Sequence, residues 1–277
     1  MPVTSALEIS YKAHIAHNAH NAHPIMNHPS SHPTITTGVI LAAGMARRLR
    51  PLTDDMPKCL LPLGDRNLLE RTVDAMRMAG VERLVVVTGY KAQMIRSFLE
   101  THYPQLDLIF LDNTDYANNN NIYSLWMAGK VVRGEEFLLM DSDIFCDPQA
   151  VLAVVCEEGS ALALNRHPLG EEEMKIVTDE AGNITEISKT CRIADAVGES
   201  VGIEKVSPSY SEALYRELDK MILDEGLTDI FYERAFERLI PQGHTFKVVD
   251  TTPFISYELD TVEDYHHVLS LLKEEEQ

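Results

Sequence analysis

The chain has 277 residues, 45% of them hydrophobic, and a formal net charge of −19 at pH 7. That acidity excludes nucleic acid and an anionic membrane as the main partner, since either needs a basic surface. No apolar run reaches membrane-spanning length, and the hydrophobic content suffices for one sizeable core or two modest ones.

Residues 1–33 are rich in histidine: His14, His17, His20 and His23 recur every third position, and His28 and His32 follow. The segment has no apolar h-region, so it does not read as a signal peptide. It reads as a disordered leader, with weak metal binding as the other reading. Residues 34–277 then read as one domain, with 34–158 as a nucleotide-binding half and 159–277 as an acceptor-binding half.

Gly38-Val39-Ile40-Leu41 reads as a buried strand that ends in Ala42-Ala43-Gly44, where small side chains admit another molecule to the backbone. Arg47 and Arg48 follow, and Lys58 lies ten residues beyond Arg48, in a segment carrying Pro51 and Pro57. A strand running into a glycine turn with cations behind it suits phosphate, because exposed backbone N–H groups and fixed positive charge converge there.

Helical periodicity over 67–79 is stopped by Gly80. A short strand over 84–87 precedes a helix over 92–99 and a strand over 106–111. Asn118-Asn119-Asn120-Asn121 then leads into a helix over 123–129. These amides suit either of two tasks, reading a base edge or capping that helix with Asn121 as N-cap. A fourth strand over 136–140 stops at Asp141. Strands alternating with helices predict an α/β fold: a doubly wound, mostly parallel, Rossmann-like sheet, with ligands beyond the carboxyl ends of the strands. From Ala161 the pattern changes to strands over 161–164, 174–178, 184–189 and 200–206, with a hairpin turn at Ala181-Gly182-Asn183. Helices over 208–223 and 229–239, strands over 246–249 and 255–258 and a last helix over 262–272 complete an acceptor lobe built onto the same sheet.

Asp143, in Asp141-Ser142-Asp143, and Asp260, in Glu258-Leu259-Asp260, each follow a predicted strand. Asp143 is either a metal ligand or a helix N-cap or turn residue, and Asp260 either a metal ligand or the N-cap of the last helix. The four cysteines, Cys59, Cys146, Cys156 and Cys191, lack zinc spacing and read as reduced thiols of a cytoplasmic protein.

Leu41-Ala42-Ala43-Gly44, Arg48, Pro57 and Lys58 together resemble the signature of the nucleotidyltransferases that make sugar nucleotides and CDP-alcohols. Ala46 departs from it, since that family has a second glycine there. The resemblance implies a Mg²⁺-dependent transferase with Leu41, Ala42, Ala43, Gly44 and Met45 around the nucleotide. It gives Arg48 and Lys58 the charge of the triphosphate and transferring phosphate, and it makes Asp143 and Asp260 the metal ligands. Asn120-Asn121-Ile122-Tyr123-Ser124-Leu125, Asp229-Ile230-Phe231-Tyr232-Glu233 and Tyr257 to Tyr265 resemble the phosphocholine cytidylyltransferase branch. That implies CTP, with Asn120, Asn121 and Ser124 at the nucleotide. The acceptor is then a small phosphorylated alcohol or phosphonate, such as phosphocholine, aminoethylphosphonate or inositol phosphate. Lys189 is similar to a lysine that binds the acceptor phosphate in related enzymes. Lys175, on the neighbouring predicted strand, and Glu233, able to pair with an amine, join it as acceptor candidates. A UTP- or dTTP-dependent sugar-1-phosphate enzyme and a non-catalytic nucleotide-binding regulator are the alternatives. The sequence leaves open whether copies of the chain associate.

Overall fold

In the computed structural model, which describes residues 35–275, the chain begins with β1 (Thr37–Ala42). The histidine-rich leader lies outside the described residues. β2 (Pro62–Leu63) and β3 (Arg66–Asn67) form a small hairpin before α1 (Leu68–Met78). Asn67 caps α1, its side-chain oxygen accepting from the Glu70 amide at 2.8 Å. β4 (Arg83–Thr88), α2 (Ala92–His102), β5 (Asp107–Asp112), α3 (Asn121–Val132) and β6 (Phe137–Asp141) follow. β1 pairs in parallel with both β4 and β6, and β4 with β5.

These strands read as continuous apolar runs because both faces are covered. Val39, Leu41, Val85, Val87, Phe137 and Leu139 pack on the α3 side, while Ile40, Leu84, Val86, Leu138 and Met140 pack on the α1 and α2 side.

After β6 come β7 (Ile144–Cys146), α4 (Pro148–Val155), β8 (Ala161–Asn165), the hairpin of β9 (Lys175–Thr178) and β10 (Ile184–Ser188), and β11 (Gly198–Val206). Then come α5 (Pro208–Asp219), α6 (Glu233–Leu239), β12 (Lys247–Asp250), β13 (Ser256–Glu258) and α7 (Val262–Glu275). Among the described residues the main sheet has nine strands, and it runs through both halves of the chain. β11 pairs antiparallel with β6 through Ile203–Val206 and with β9 through Gly198 and Glu199, while β8 pairs with both parts of β11. The sheet therefore divides at Gly202. A Cβ there would lie 2.7 Å from Ile144 Cδ1 and 2.9 Å from Asp141 Oδ2, at a φ of +70° that only glycine adopts readily.

Two predicted boundaries move for identifiable reasons. The helix expected over 229–239 starts only at Glu233, because the preceding segment is bonded to the asparagine loop. Asn120 N–H donates to the Thr228 carbonyl at 2.9 Å, and Tyr232 N–H donates to Asn121 Oδ1 at 3.0 Å. The helix expected over 208–223 is α-helical only to Asp219 and ends in a π turn over Lys220–Asp224. β7 was not expected, being three residues long and too short to show a period, and α4 was implied only by the N-cap reading of Asp143.

Candidate active site

Each cation and carboxylate of the site has an apolar neighbour in the chain that anchors it. Leu49 beside Arg48, Leu61 after Lys58, and Leu259 between Glu258 and Asp260 join Leu63, Leu68, Phe145 and Val268 in a small core of their own. Cys59, next to Lys58, is buried in the larger core, and burial pushes its thiol up to about 12, so it is a packed bystander. β7 and β13 pair antiparallel, with Ile144 opposite Glu258, and Leu259 N–H donates to the Asp143 carbonyl at 2.9 Å. Asp143 just precedes one strand and Asp260 follows the other by two residues, so this pairing brings together residues far apart in sequence.

Lys58 stands between them. Its Nζ donates to Asp143 Oδ2 at 2.7 Å and to Asp260 Oδ1 at 3.0 Å. Arg48 also pairs with Asp260. Burial alone would lower the Lys58 pKa, but the charges of Asp143 and Asp260 outweigh it and hold the ammonium well above the ordinary lysine range. Burial raises Asp260, while Lys58 and Arg48 pull it down to a net depressed value.

Asp143, Glu258 and Asp260 each offer an oxygen within 4.8 Å of the others, the one such grouping found among the described residues. Glu258 is exposed as a residue, yet the protein crowding its carboxyl and the charges of Asp143 and Asp260 push it up to about 8. Asp143 Oδ1 is buried without a hydrogen-bond partner. An orphaned carboxylate oxygen among three converging acids is the donor set that a hard divalent cation requires.

The N-cap reading of both aspartates is excluded by what their neighbours do. Asp147 caps α4, accepting from the Gln149 amide at 2.9 Å. Thr261 and Asp264 form a reciprocal box at the start of α7: Thr261 N–H donates to Asp264 Oδ2 at 2.8 Å, and Asp264 N–H to Thr261 Oγ1 at 3.2 Å. Both site aspartates are therefore released from capping.

The glycine turn lies at the carboxyl end of β1, as expected. Leu41, Ala42 and Ala43 are buried, Met45 is half-buried, and Gly44 is exposed. A Cβ on Gly44 would meet nothing within 4 Å. Ala46 takes up the left-handed conformation, φ 45° and ψ 54°, so the position needs the geometry that a glycine would supply and the alanine adopts it under strain. Thr53 Oγ1 holds the turn by donating to the Ala46 carbonyl at 2.9 Å. Tyr90 N–H donates to the Ala43 carbonyl at 3.0 Å, joining the loop after β4 to the glycine turn.

The asparagine segment is first of all a self-bonded loop. Asn113, which the sequence reading missed, is its buried hub: its Nδ2 donates to Asn119 Oδ1 at 2.8 Å and to Ser124 Oγ at 3.1 Å, and Asn119 Nδ2 returns a bond at 3.1 Å. Ser124 is thus buried and holds the loop rather than facing a ligand. Asn120, not Asn121, is the N-cap of α3, and Asn121 ties that helix to the start of α6. A hollow of about 410 Å³ opens beside this loop at the carboxyl ends of β4 and β5, lined in part by Gly89, Asn113 and Tyr116.

Lys175 is a correction. It is fully buried, and its Nζ donates to the carbonyls of Gly170, Glu171 and Glu173 at 3.1–3.2 Å. It clamps the loop before β9 and presents no ammonium to an acceptor. Lys189 is half-buried, with its Nζ 4.5 Å from the centroid of the Phe231 ring.

Glu233 is buried, which pushes it up to about 7 against the opposing charge of Lys189. Beside it lie Asp141, whose Oδ2 accepts from Tyr232 Oη at 3.0 Å, and Glu204. Burial and the neighbouring negative charges raise both well above the carboxylate range. Glu204 also went unread in the sequence; its one signal was a carboxylate inside the run Gly202-Ile203-Glu204-Lys205-Val206.

A mixed, mostly parallel sheet with a glycine turn at its first strand, a lysine held between two aspartates, and converging carboxylates is the layout of an enzyme that transfers a nucleotidyl group. The family model for the MobA-like NTP transferase domain matches residues 38–239. The chain belongs to that family.

Among curated relatives it is 32% identical over 196 residues to the bifunctional IPC transferase and DIPP synthase of Aquifex aeolicus, covering 69% of this chain and 44% of that protein. It is 35% identical over 109 residues to the 2-aminoethylphosphonate cytidylyltransferase of Lancefieldella rimae, 39% of this chain and 43% of that one. The chain thus spans less than half the length of these relatives. The choline-phosphate cytidylyltransferase of Streptococcus pneumoniae is 23% identical, with 86% of this chain and 98% of that protein aligned. The solved inositol-1-phosphate CTP transferase from T. maritima superposes with a TM-score of 0.71 at 20% identity, over 87% of this chain and 97% of that one, a likeness of fold.

Proposed function

We propose that this protein transfers CMP from CTP to a small phosphorylated alcohol or phosphonate, releasing pyrophosphate, with Mg²⁺ as the metal. The observation that carries the reading is Lys58 held between Asp143 and Asp260 at 2.7 and 3.0 Å. The choice of CTP is supported by relatives named as cytidylyltransferases. The fit of a metal is supported by Asp143, Glu258 and Asp260, of which Asp143 and Asp260 are the proposed ligands. Bound there, Mg²⁺ would neutralise phosphate charge.

The protein's own part is placement and electrostatics. The backbone of Ala43, Gly44 and Met45 cradles the triphosphate. Lys58 stabilises charge on the transferring phosphate, and Arg48 exchanges part of its pairing with Asp260 for the departing pyrophosphate. Because Lys58 stays protonated across the physiological range, it acts through charge and moves no proton. Asn120 and Asn121 stand at the base, and Lys189 and Glu233 at the acceptor.

The test is pyrophosphate release with CTP, UTP, dTTP, GTP and ATP, each against a panel of phosphorylated alcohols, phosphonates and sugar 1-phosphates. Preference for UTP or dTTP with a sugar 1-phosphate moves the protein to the sugar-nucleotide class. CTP binding without product for any acceptor moves it to the regulators.

A further inference from the structure

Tyr90 has no part in the transfer chemistry above, yet it touches both ends of the loop, residues 43–54, in which the triphosphate cradle lies. Its N–H donates to the Ala43 carbonyl at 3.0 Å, where the loop begins. Its Oη lies 2.8 Å from the Thr53 carbonyl and 2.7 Å from the Asp54 carbonyl, where the loop ends, so its one proton is shared between two acceptors. Thr53 then reaches back, and its Oγ1 donates to the Ala46 carbonyl at 2.9 Å. Ala43, Tyr90, Thr53 and Ala46 thus close a ring of hydrogen bonds around Gly44 and Met45.

The ring spans the part of the loop that needs holding. Ala46 and Lys91, at φ 45° and 52°, are the two non-glycine residues of positive φ among the described residues. One lies in each of the two loops that Tyr90 joins. Left-handed backbone at a residue with a Cβ is strained and persists only where its surroundings fix it. At Ala46 the fixing contacts are the bonds its carbonyl accepts from Thr53 Oγ1 and from the Leu49 N–H, the latter at 3.1 Å. Among the described residues the N–H groups of Gly44 and Met45 donate to no protein acceptor. The cradle is therefore aimed by its fastening and not by bonds of its own.

Tyr90 is itself firmly seated. A Cβ on Gly89, the residue before it, would lie 2.7 Å from the Ala43 carbonyl oxygen and 2.8 Å from Tyr116 Cβ, so the end of β4 is pressed against the glycine turn. The Tyr116 ring meets the Tyr90 ring edge-on at 6.4 Å, and Lys91 Nζ stands 5.7 Å from the Tyr90 centroid. These contacts do not involve the hydroxyl. Removing that group alone unties the loop and leaves the ring in place.

We propose that Tyr90 is a positioning residue for the triphosphate. Its hydroxyl, acting through Thr53, holds Ala46 in the left-handed turn that aims the N–H groups of Gly44 and Met45, with Arg48 behind them, at the phosphates. This rests on the function proposed above. The consequence is selective. A residue that only braces the fold weakens every ligand alike, or none. A residue that aims phosphate donors weakens ligands according to the phosphates they carry, and leaves the base and the acceptor held as before.

Calorimetry without acceptor compares CTP, CMP and inorganic tripolyphosphate, each with Mg²⁺, in the parent and in Tyr90→Phe. CTP and tripolyphosphate should bind about tenfold more weakly to the variant, the worth of roughly one hydrogen bond, with CMP changed by less than about twofold. In turnover, kcat should fall by about tenfold or more through lost alignment of the phosphates, with the KM of the acceptor unchanged. Thr53→Val, which removes the bond to Ala46 and keeps side-chain volume, should give the same selective loss. The two bonds act in series, so the double variant should bind CTP no more than about twofold more weakly than the worse single one.

Parental CTP affinity and kcat in Tyr90→Phe overturn the proposal, as do equal losses for CMP and CTP, or fully additive losses in the double variant. A parent that binds neither CTP nor tripolyphosphate removes the transferase reading and this inference with it. A parent that turns over CTP, beside a Tyr90→Phe variant that does so equally well, removes this inference alone.

Discussion

Lys58→Met removes the cation that holds Asp143 and Asp260 and nearly preserves side-chain volume. Three carboxylates then crowd together with Arg48 as the remaining counter-charge on Asp260. Stripping one partner from a buried ion pair costs about 3–5 kcal/mol. Here the side chains of Lys58, Asp143 and Asp260 are 12%, 22% and 26% exposed, and Arg48 remains, so about 2–3 kcal/mol is expected. For a domain of this size that is a fall in melting temperature of about 5–8 °C.

The sign with pH follows from the two directions of shift. The Lys58 contribution is present below the ordinary lysine value and lost as pH rises through its raised folded value. The Asp260 contribution is present above the ordinary carboxylate value and lost as pH falls through its depressed folded value. The deficit of the variant should therefore be fully developed at neutral pH. Saturating Mg²⁺ should stabilise the variant more than the parent, since the metal returns positive charge to the same oxygens. Turnover should fall by about a hundredfold or more. Melting curves at neutral pH with and without Mg²⁺ read all but the last. Equal stability of the two proteins, with the same Mg²⁺ shift in both, refutes the reasoning.

Asp143→Asn and Asp260→Asn should each abolish divalent-dependent pyrophosphate release; rates near the parent's in both would remove the metal assignment. Glu258, pushed up to about 8, is protonated at neutral pH without metal, so Mg²⁺ binding at pH 7 should release close to one proton. The apparent Mg²⁺ affinity should then rise with pH and level off above about 8, and calorimetry in two buffers of different ionisation enthalpy reads the proton count directly. The same raised value makes the metal-free protein lose stability as pH climbs from about 4.3 toward it. Gly202→Ala forces a side chain toward Asp141 and Ile144 at a left-handed φ. It should cost about 2–4 kcal/mol in denaturant melts and impair turnover, whereas a neutral substitution would show that the division of the sheet is pliable. Ala46→Gly should be neutral or stabilising by up to about 1 kcal/mol, because it relieves a left-handed alanine while adding unfolded-state freedom; clear destabilisation would contradict the strain at that turn.

The run from Val39 to Lys58 by itself determined the first strand, the small-residue turn and the cations behind it. These are local features, in which burial on both faces gives a continuous apolar run and the need for backbone access gives glycine and alanine. The alternation of strands and helices likewise carried the wound sheet. Asp143 and Asp260 were legible as candidates, but sequence could not separate ligand from N-cap. The N-cap reading was removed by Asp147 and Thr261 taking the capping bonds, and the β7–β13 pairing brings the two aspartates together. Lys175 and Lys189 look alike in sequence, and only the fold turns one toward three carbonyls and leaves the other beside Glu233. The buried acids were the least legible of all. Glu204, Asp141 and Glu233 come from a strand interior, a strand end and a helix start, and each alone resembles an ordinary surface acid. What they share is burial and mutual charge, and that property belongs to the packed chain, not to any segment of it.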